Sequence, residues 1–448
     1  MKKLLSMLLV LVMALSIMPM AMAEEGLAPM TTEEITLTVA HWGQAEAGEP
    51  EVIQALVAQF EEAYPNIDVE FVNIDQGSWD ATLEGLAANG NLPDVFWVFS
   101  VSAAVSKEWA LDLTDFYAKD PDAKELYPTM VETTKIGGKN YSYPAVMFPH
   151  MVFMNKTLFE KYNVELPAYD WTWDDYFELA DELAHPEEYY FGVSNPLYVD
   201  LLPAAINGNQ GKFGWDGEAY HFDEAWVEAV EIRAEVINNK ICEWMSAEEK
   251  EAVLGDPGAW PPGKGRTAMH IDWPWTMAMF NTTVPAETGC EFVYYPLPMG
   301  EGKGELAIVD NGIISASTEH PREAWELAKW MSWGPKAALK RQETYRALGY
   351  PVSRMPVVST PEVWQDLVDN ADESIKGFYQ SFIDRDVSIV PSNWPVCPGW
   401  GTIESYYNSN DIDGKILRGE ISAADVAEEL ETVANNGRDE WLANNLPE

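Results

Sequence analysis

The sequence predicts an α/β protein built as two lobes, and three observations carry that expectation. A strand, helix, strand order occupies residues 35–71, a βαβ unit whose strands run parallel. The run Val95 to Phe99 is apolar without a break, as a strand covered on both faces requires. The stretch from Gly137 to Asn155, GGKNYSYPAVMFPHMVFMN, separates two composition patterns and reads as the place where the chain leaves one lobe for the other. At 448 residues the chain also exceeds what one core supports.

Taken in order, residues 1–23 read as a cleaved export leader. Lys2 and Lys3 precede an apolar run from Leu4 to Ile17, and Ala21, Met22, Ala23 give the small-x-small cleavage pattern. The apolar run falls short of the roughly 20 residues that a membrane span needs. Glu24 is the predicted mature start, with residues 24–34 a flexible terminus, and no cysteine near the cut offers a lipid anchor. Ile35, Leu37 and Val39 alternate with threonines in a first strand that ends at His41 and Trp42. Pro50 opens a helix with Val52, Ile53, Leu56, Val57 and Phe60 on one face, and Pro65 with Asn66 stops it. Ile67, Val69 and Phe71 make the second strand, and a helix from Trp79 to Asn89 leads to the third at Val95. Past the crossing, helices are predicted at Thr157 to Tyr162 and Thr172 to Leu183, with Thr172 as N-cap and Asp174 and Asp175 in the first turn. The stretch RTAMHIDWPW is a strand ending in a second crossing that returns the chain to the first lobe. Strand-like runs at Phe292 to Leu297 and Leu306 to Ser315 follow, and the remainder is mostly helical around the loop VPSNWPVCPGWG.

Composition excludes several function classes. With 28 basic and 73 acidic side chains, net charge −45, the surface repels nucleic-acid phosphates and anionic lipid headgroups. Cys242, Cys290 and Cys397 allow at most one disulfide, and the six histidines lack ligand spacing, so no metal or cofactor is expected. The segment Gly258 to Gly265 imitates a phosphate-binding loop but carries Gly265 where Ser or Thr must stand, and no strand precedes it. Ser409 to Glu420 imitates a calcium loop, with Asp411, Asp413, Gly414 and Glu420 at the right offsets but Ser409 at the first ligand position. Calcium there is a hypothesis for calorimetry.

The pieces ITLTVAHW, FEEAYPNIDVEFV, LPDVFWV, YSYPAVMFPHMVFMNKTLFEKYNV, TWDDY, TAMHIDWPW and LRGEISAADVAEEL occur in an order that spans nearly the whole mature chain. In that order they resemble the extracellular solute-binding proteins of ABC importers, family 1, the carbohydrate-binding, maltose-binding-protein-like cluster. The resemblance implies the two-lobe periplasmic-binding-protein fold of type II, each lobe a mainly parallel sheet flanked by helices, with three crossing segments. The expected partition is residues 35–146 and 273–315 in lobe one, and 147–272 and 316–448 in lobe two. It further implies hinge closure on a solute and delivery to the membrane subunits of an ABC permease, by a monomer that is periplasmic or extracellular at the cell surface.

Sugars present flat C–H faces with hydroxyl edges, so a sugar cleft needs aromatic platforms beside polar acceptors. Trp42 and Gln44 close the first strand, and Trp97, Phe99 and Ser100 follow the third, where open sheets bind ligands. Trp215 and Asp216, in a glycine-flanked loop, offer a stacking face and a hydroxyl acceptor. Trp273 and Trp275 occupy the second crossing. The resemblance adds Met147 and His150 in the first crossing, Asp310, Asn311 and Gly312 in the third, and Trp394 and Trp400 in the C-terminal loop. Trp275 and Trp400 are the leading stacking candidates. The alternatives are a polyamine, peptide or other non-sugar solute on the same fold, or an exported glycosidase. For an enzyme, no carboxylate pair is singled out and no GxSxG or HExxH occurs.

Overall fold

The computed structural model describes residues 26–43, 48–133, 135–194, 198–208, 210–392 and 397–446. The leader, Gln44 and Trp394 lie outside them. Two mixed sheets divide the chain. The first is six-stranded and contains β1 (Ile35–Ala40), β2 (Ile67–Phe71), β3 (Val95–Val98), β4 (Tyr143–Pro149), β9 (Gly304–Ile314) and β10 (Ser388–Pro391). Its order is β10-β9-β3-β1-β2, with β4 also on β9. The second, of order β6-β7-β5-β8, contains β5 (Met151–Asn155), β6 (Phe191–Ser194), β7 (Thr267–Asp272) and β8 (Phe292–Pro296).

The opening βαβ unit forms as its pattern requires. Leu37 pairs with Val69 in a parallel ladder, and α1 (Glu49–Ala63) begins with Pro50 in its first turn and buries Val52, Ile53, Leu56, Val57 and Phe60. Each such side chain contributes about 1.5–3 kcal/mol on leaving water. After α2 (Trp79–Ala88), all four residues of β3 are buried, as the unbroken apolar run predicts. In the second lobe, α3 (Trp173–Glu182) carries a full capping box between Thr172 and Asp175.

Parallel pairing holds at β1 with β2 and β3, at β9 with β10 and at β6 with β7, whereas β9 runs antiparallel to β3 and β4, and β5 antiparallel to β7 and β8. The first crossing is one residue long. β4 leaves the first sheet at Pro149 and β5 joins the second at Met151. Between them His150 donates its backbone N–H to Leu306 O, on β9, at 3.1 Å. The boundary therefore lies three residues beyond the expected one, and Met147 pairs with Val309 in the first sheet. Residues 143–154 are buried throughout, so apolarity alone does not mark the change of sheet.

Two further parts of the partition differ. β8, expected in lobe one, pairs with β5 in the second sheet, so the return to the first sheet falls between Pro296 and Gly304 and not at Trp273. Residues 316–448 do not all join lobe two. The helix α4 (Pro335–Leu348) meets α1 through the buried pair Arg341 and Glu49, and β10 lies on β9. The first contact joins residues 292 positions apart, and the second pairs Ser388 with Gly304, so neither has a local signal. The three cysteines are free and buried.

Candidate functional site

The first sheet turns one stripe of β9 toward solvent. Among its eleven residues only Ile308 and Asp310 are half-exposed, while Ala307, Val309 and Asn311 are buried. Phe148 of β4 lies opposite Ile308, and Val146 opposite Asp310, which sets Asp310 roughly 7–8 Å diagonally from Phe148 on the same face. An aromatic group stands at each end of this stripe.

At one end, Trp42 follows β1 and stacks flat on Phe99, with ring centroids 4.4 Å apart. Its indole N–H donates to Asp310 Oδ2 at 3.0 Å. Trp79 and Trp97 meet Trp42 edge-on at 5.4 and 5.3 Å and hold it upright. Phe99 is 41% exposed, so the open face of the stack belongs to it. Trp97 is buried and pairs across to Gly312, which makes it a support rather than a contact surface. Ser100 caps the following helical turn by accepting from Ala103 N, and its hydroxyl lies 3.1 Å from that of Ser102.

At the other end, Trp273 and Trp275 stack with centroids 5.0 Å apart, and Trp275 sets its edge on Phe148 at 5.0 Å. Trp275 is 44% exposed, the most open of the large apolar side chains described. His150 packs 5.0 Å from Trp273, with its Nδ1 3.0 Å from Leu306 O. Burial lowers its pKa to about 4, so the ring is neutral near pH 7 and Nδ1–H is the donor.

Each end rests on a buried polar set that the sequence did not reveal. Beneath the first, Glu49 is fully buried against Arg341 at 2.7 Å and Arg354 at 3.5 Å, and accepts from the Tyr345 hydroxyl. Burial alone would raise the Glu49 pKa, but the two guanidinium groups outweigh it and hold the carboxyl below its ordinary range. His41, with Nδ1 2.6 Å from Trp42 O, is lowered to about 4 by burial. Arg354 also lies 5.7 Å from the Phe148 ring centroid. Beneath the second, Ser194, His270 and Asp272 form a hydrogen-bonded series at the carboxyl ends of β6 and β7. Asp272 Oδ2 lies 2.9 Å from His270 Nε2, and its Oδ1 accepts from Trp273 N at 2.8 Å. His270 thus spans the series, with Nε2 on the Asp272 carboxylate and Nδ1 on the Ser194 hydroxyl.

Several expected site residues lie elsewhere. Met147 is fully buried, because strand alternation sends it into the core, while Phe148, itself buried, lies on the face of Ile308 and meets Trp275. Asp310, Asn311 and Gly312 sit within β9 instead of ending a strand. Asn311 is buried and donates to Val309 O, so of the three only Asp310 faces the stripe. Gly312 serves packing, since a Cβ there would collide with the Tyr143 ring. Trp215 is buried against Tyr220, whose hydroxyl donates to Pro398 O, and Trp400 begins the nearby helix Trp400–Ser409. Asp216 closes its own loop, accepting from Glu218 N and Ala219 N, with His221 Nε2 at 2.9 Å. In the calcium-like stretch Arg418 binds Asp411 Oδ2 at 2.9 Å and Glu420 Oε1 at 2.6 Å, so a guanidinium stands between the expected ligands. Phe148, missed at first, is legible from the parity of the apolar run once β4 is placed on β9.

Comparison with known proteins agrees with this architecture. The family model described as bacterial extracellular solute-binding protein matches residues 46–332. An uncharacterized ABC transporter extracellular-binding protein of Pyrococcus horikoshii is 22% identical over 440 residues, covering 94% of this chain and 92% of its own length. Among solved structures, an ABC substrate-binding protein from Listeria monocytogenes in complex with cycloalternan superimposes with a TM-score of 0.63 at 22% identity, covering 90% of this chain and 99% of the other. A cyclic alpha-maltosyl-1,6-maltose binding protein from Arthrobacter globiformis gives 0.67 at 16% identity, covering 90% and 99%. At such identities the likeness is one of fold, the type II periplasmic-binding-protein fold.

Proposed function

The chain belongs to the bacterial extracellular solute-binding proteins, and from that premise we propose that it captures a sugar, a mono- or oligosaccharide, between its lobes and hands it to the membrane subunits of an ABC permease. The family and the similar structures are binding proteins rather than enzymes, and capture here involves no bond-breaking step. The observation that carries the sugar reading is the stripe with its two open aromatic faces. Phe99 and Trp275 flank Asp310, whose carboxylate accepts hydroxyl protons, and this combination fits a pyranose face and its edge. Closure of one lobe on the other would bury both rings. Among the described residues no helix is long and apolar enough to cross a membrane, and the proposed setting is an exported monomer.

Thermal unfolding against a panel of sugars tests the reading. A sugar present at about 100 times its dissociation constant adds about 2.7 kcal/mol of stability and raises the melting temperature. If no sugar moves the transition while spermidine or a peptide does, the solute class is wrong. The purified protein is expected to release no reducing sugar from oligosaccharides.

A further inference from the structure

We infer that the polar floor beneath Trp42 holds two ordered water molecules, one against His41 and one against Gln342, and that the first fixes the tautomer through which His41 positions Trp42. Two small cavities adjoin the Arg341 side chain, each with a volume of about 10 Å³, room for a single water. His41, Glu49, Arg341 and Ser332 line the first, and Gln342, Arg341, Arg354 and Ser332 line the second, with largely apolar walls around them. Ser332 belongs to the π-helical turn Lys329–Trp333, whose Met331 O accepts from Arg341 Nη2 at 3.1 Å. Four buried atoms of these walls have no protein partner among the described residues: His41 Nε2, Arg341 Nε, and Oε1 and Nε2 of Gln342. The three residues are at most 4% exposed, so bulk solvent does not meet those atoms. Polar atoms left unmet in an interior carry a full desolvation penalty.

Donor and acceptor chemistry narrows the occupant to one kind of molecule. His41 Nδ1 lies 2.6 Å from Trp42 O, which an N–H faces, so in the neutral ring Nε2 is an acceptor and calls for a donor. The Gln342 amide, whichever way it is turned, calls for a donor and an acceptor at once. An anion has no proton to give to His41 Nε2 or to the Gln342 oxygen, and Glu49 stands at the first cavity. A metal ion cannot accept from Arg341 Nε or the Gln342 amide nitrogen, and two guanidinium groups line the second cavity. Water fits both cavities and both gives and accepts. The Ser332 hydroxyl, which donates to Ala328 O, offers lone pairs to either molecule.

The consequence reaches the candidate site and does not depend on which solute binds there. The nitrogen that carries the imidazole proton is set by the partner of the other nitrogen. A water donating to Nε2 keeps the proton on Nδ1, and Nδ1–H holds the carbonyl of Trp42, whose indole N–H is held by Asp310. His41 is thereby a positioning residue for Trp42.

High-resolution diffraction from crystals of the mature chain grown with sodium bromide tests the occupants. Two oxygen-sized peaks without bromide anomalous signal are expected, one within hydrogen-bond distance of His41 Nε2 and one of Gln342. Anomalous signal in either cavity, or a cavity without density, overturns the inference. Crystals of Gln342→Met, which puts an apolar group of similar volume in place of the amide, should lose the second peak and keep the first, and retention of both overturns the assignment of the second water to Gln342. Nitrogen-15 spectra of the labelled histidines should show the His41 proton on Nδ1 and the Nε2 resonance displaced by an accepted hydrogen bond. An Nε2 resonance at the position of a free acceptor overturns the role given to the first water.

Discussion

The two aromatic ends of the cleft are held in opposite ways. Under Trp42 lies an ion cluster, in which Glu49, Arg341 and Arg354 are each at most 3% exposed. Under Trp273 lies a hydrogen-bonded series from Ser194 through His270 to Asp272, with no guanidinium in it. A buried ion cluster cannot lose a member without stranding a charge in low dielectric. In a series joined through an imidazole, an amide in place of the Asp272 carboxylate can still meet both the Trp273 N–H and His270, since either ring nitrogen can carry the proton. The first end is thus built for rigidity and the second tolerates rearrangement.

The largest effect should come from breaking the cluster. Arg341→Ala leaves Glu49 charged and buried and is expected to cost about 3–5 kcal/mol in urea unfolding, and a loss below about 1 kcal/mol would remove the contrast. Acid should act next. His41 and His150 have folded-state pKa values lowered from 6.5 to about 4, so between those values the unfolded chain holds more protons. Stability contributed by the neutral rings is therefore present above about pH 6.5 and lost as pH falls toward 4, by about 3 kcal/mol for each histidine. Unfolding followed from pH 7 to 4 in wild type and His41→Gln measures it, and the variant should show the shallower slope. The hydrogen-bonded series predicts the smallest changes. Asp272→Ala strands the Trp273 N–H and one His270 nitrogen, for about 1–3 kcal/mol, whereas Asp272→Asn should cost less than about 1 kcal/mol because the chain can reverse. Equal losses in the two variants would show that no reversal occurs.

Much of this molecule was legible in its sequence, for local reasons. Alternation fixed β1 and β2, an unbroken apolar run fixed β3, and the strand-end rule found Trp42 and Phe99. Trp275 was singled out for its place just after the strand TAMHID, and its ring is 44% exposed. What escaped depends on parity or on distance. Met147 and Phe148 differ by one residue, and only the register on β9 decides which of them shares the face of Ile308 and Asp310. Gly312 reads as a turn until the Tyr143 ring is seen across it. Glu49 and Arg341 stand 292 residues apart, so their pairing is a property of the fold and of no motif.

The single residue between the sheets has a kinetic meaning. Both the backbone N–H and Nδ1 of His150 aim at Leu306 O, at 3.1 and 3.0 Å, so this crossing is short and doubly pinned, and under the proposed closure it would lie at the axis. Around such a pivot, angular motion is small in ångströms at Phe148 and Trp273 and grows with distance from the axis. Under the proposed closure, groups beside the axis would be in place when a solute arrives, and groups at the rim would gain their contacts only as the lobes swing together. Changes close to His150 should therefore be felt in the rate of capture, and changes at the rim in how long the captured solute stays.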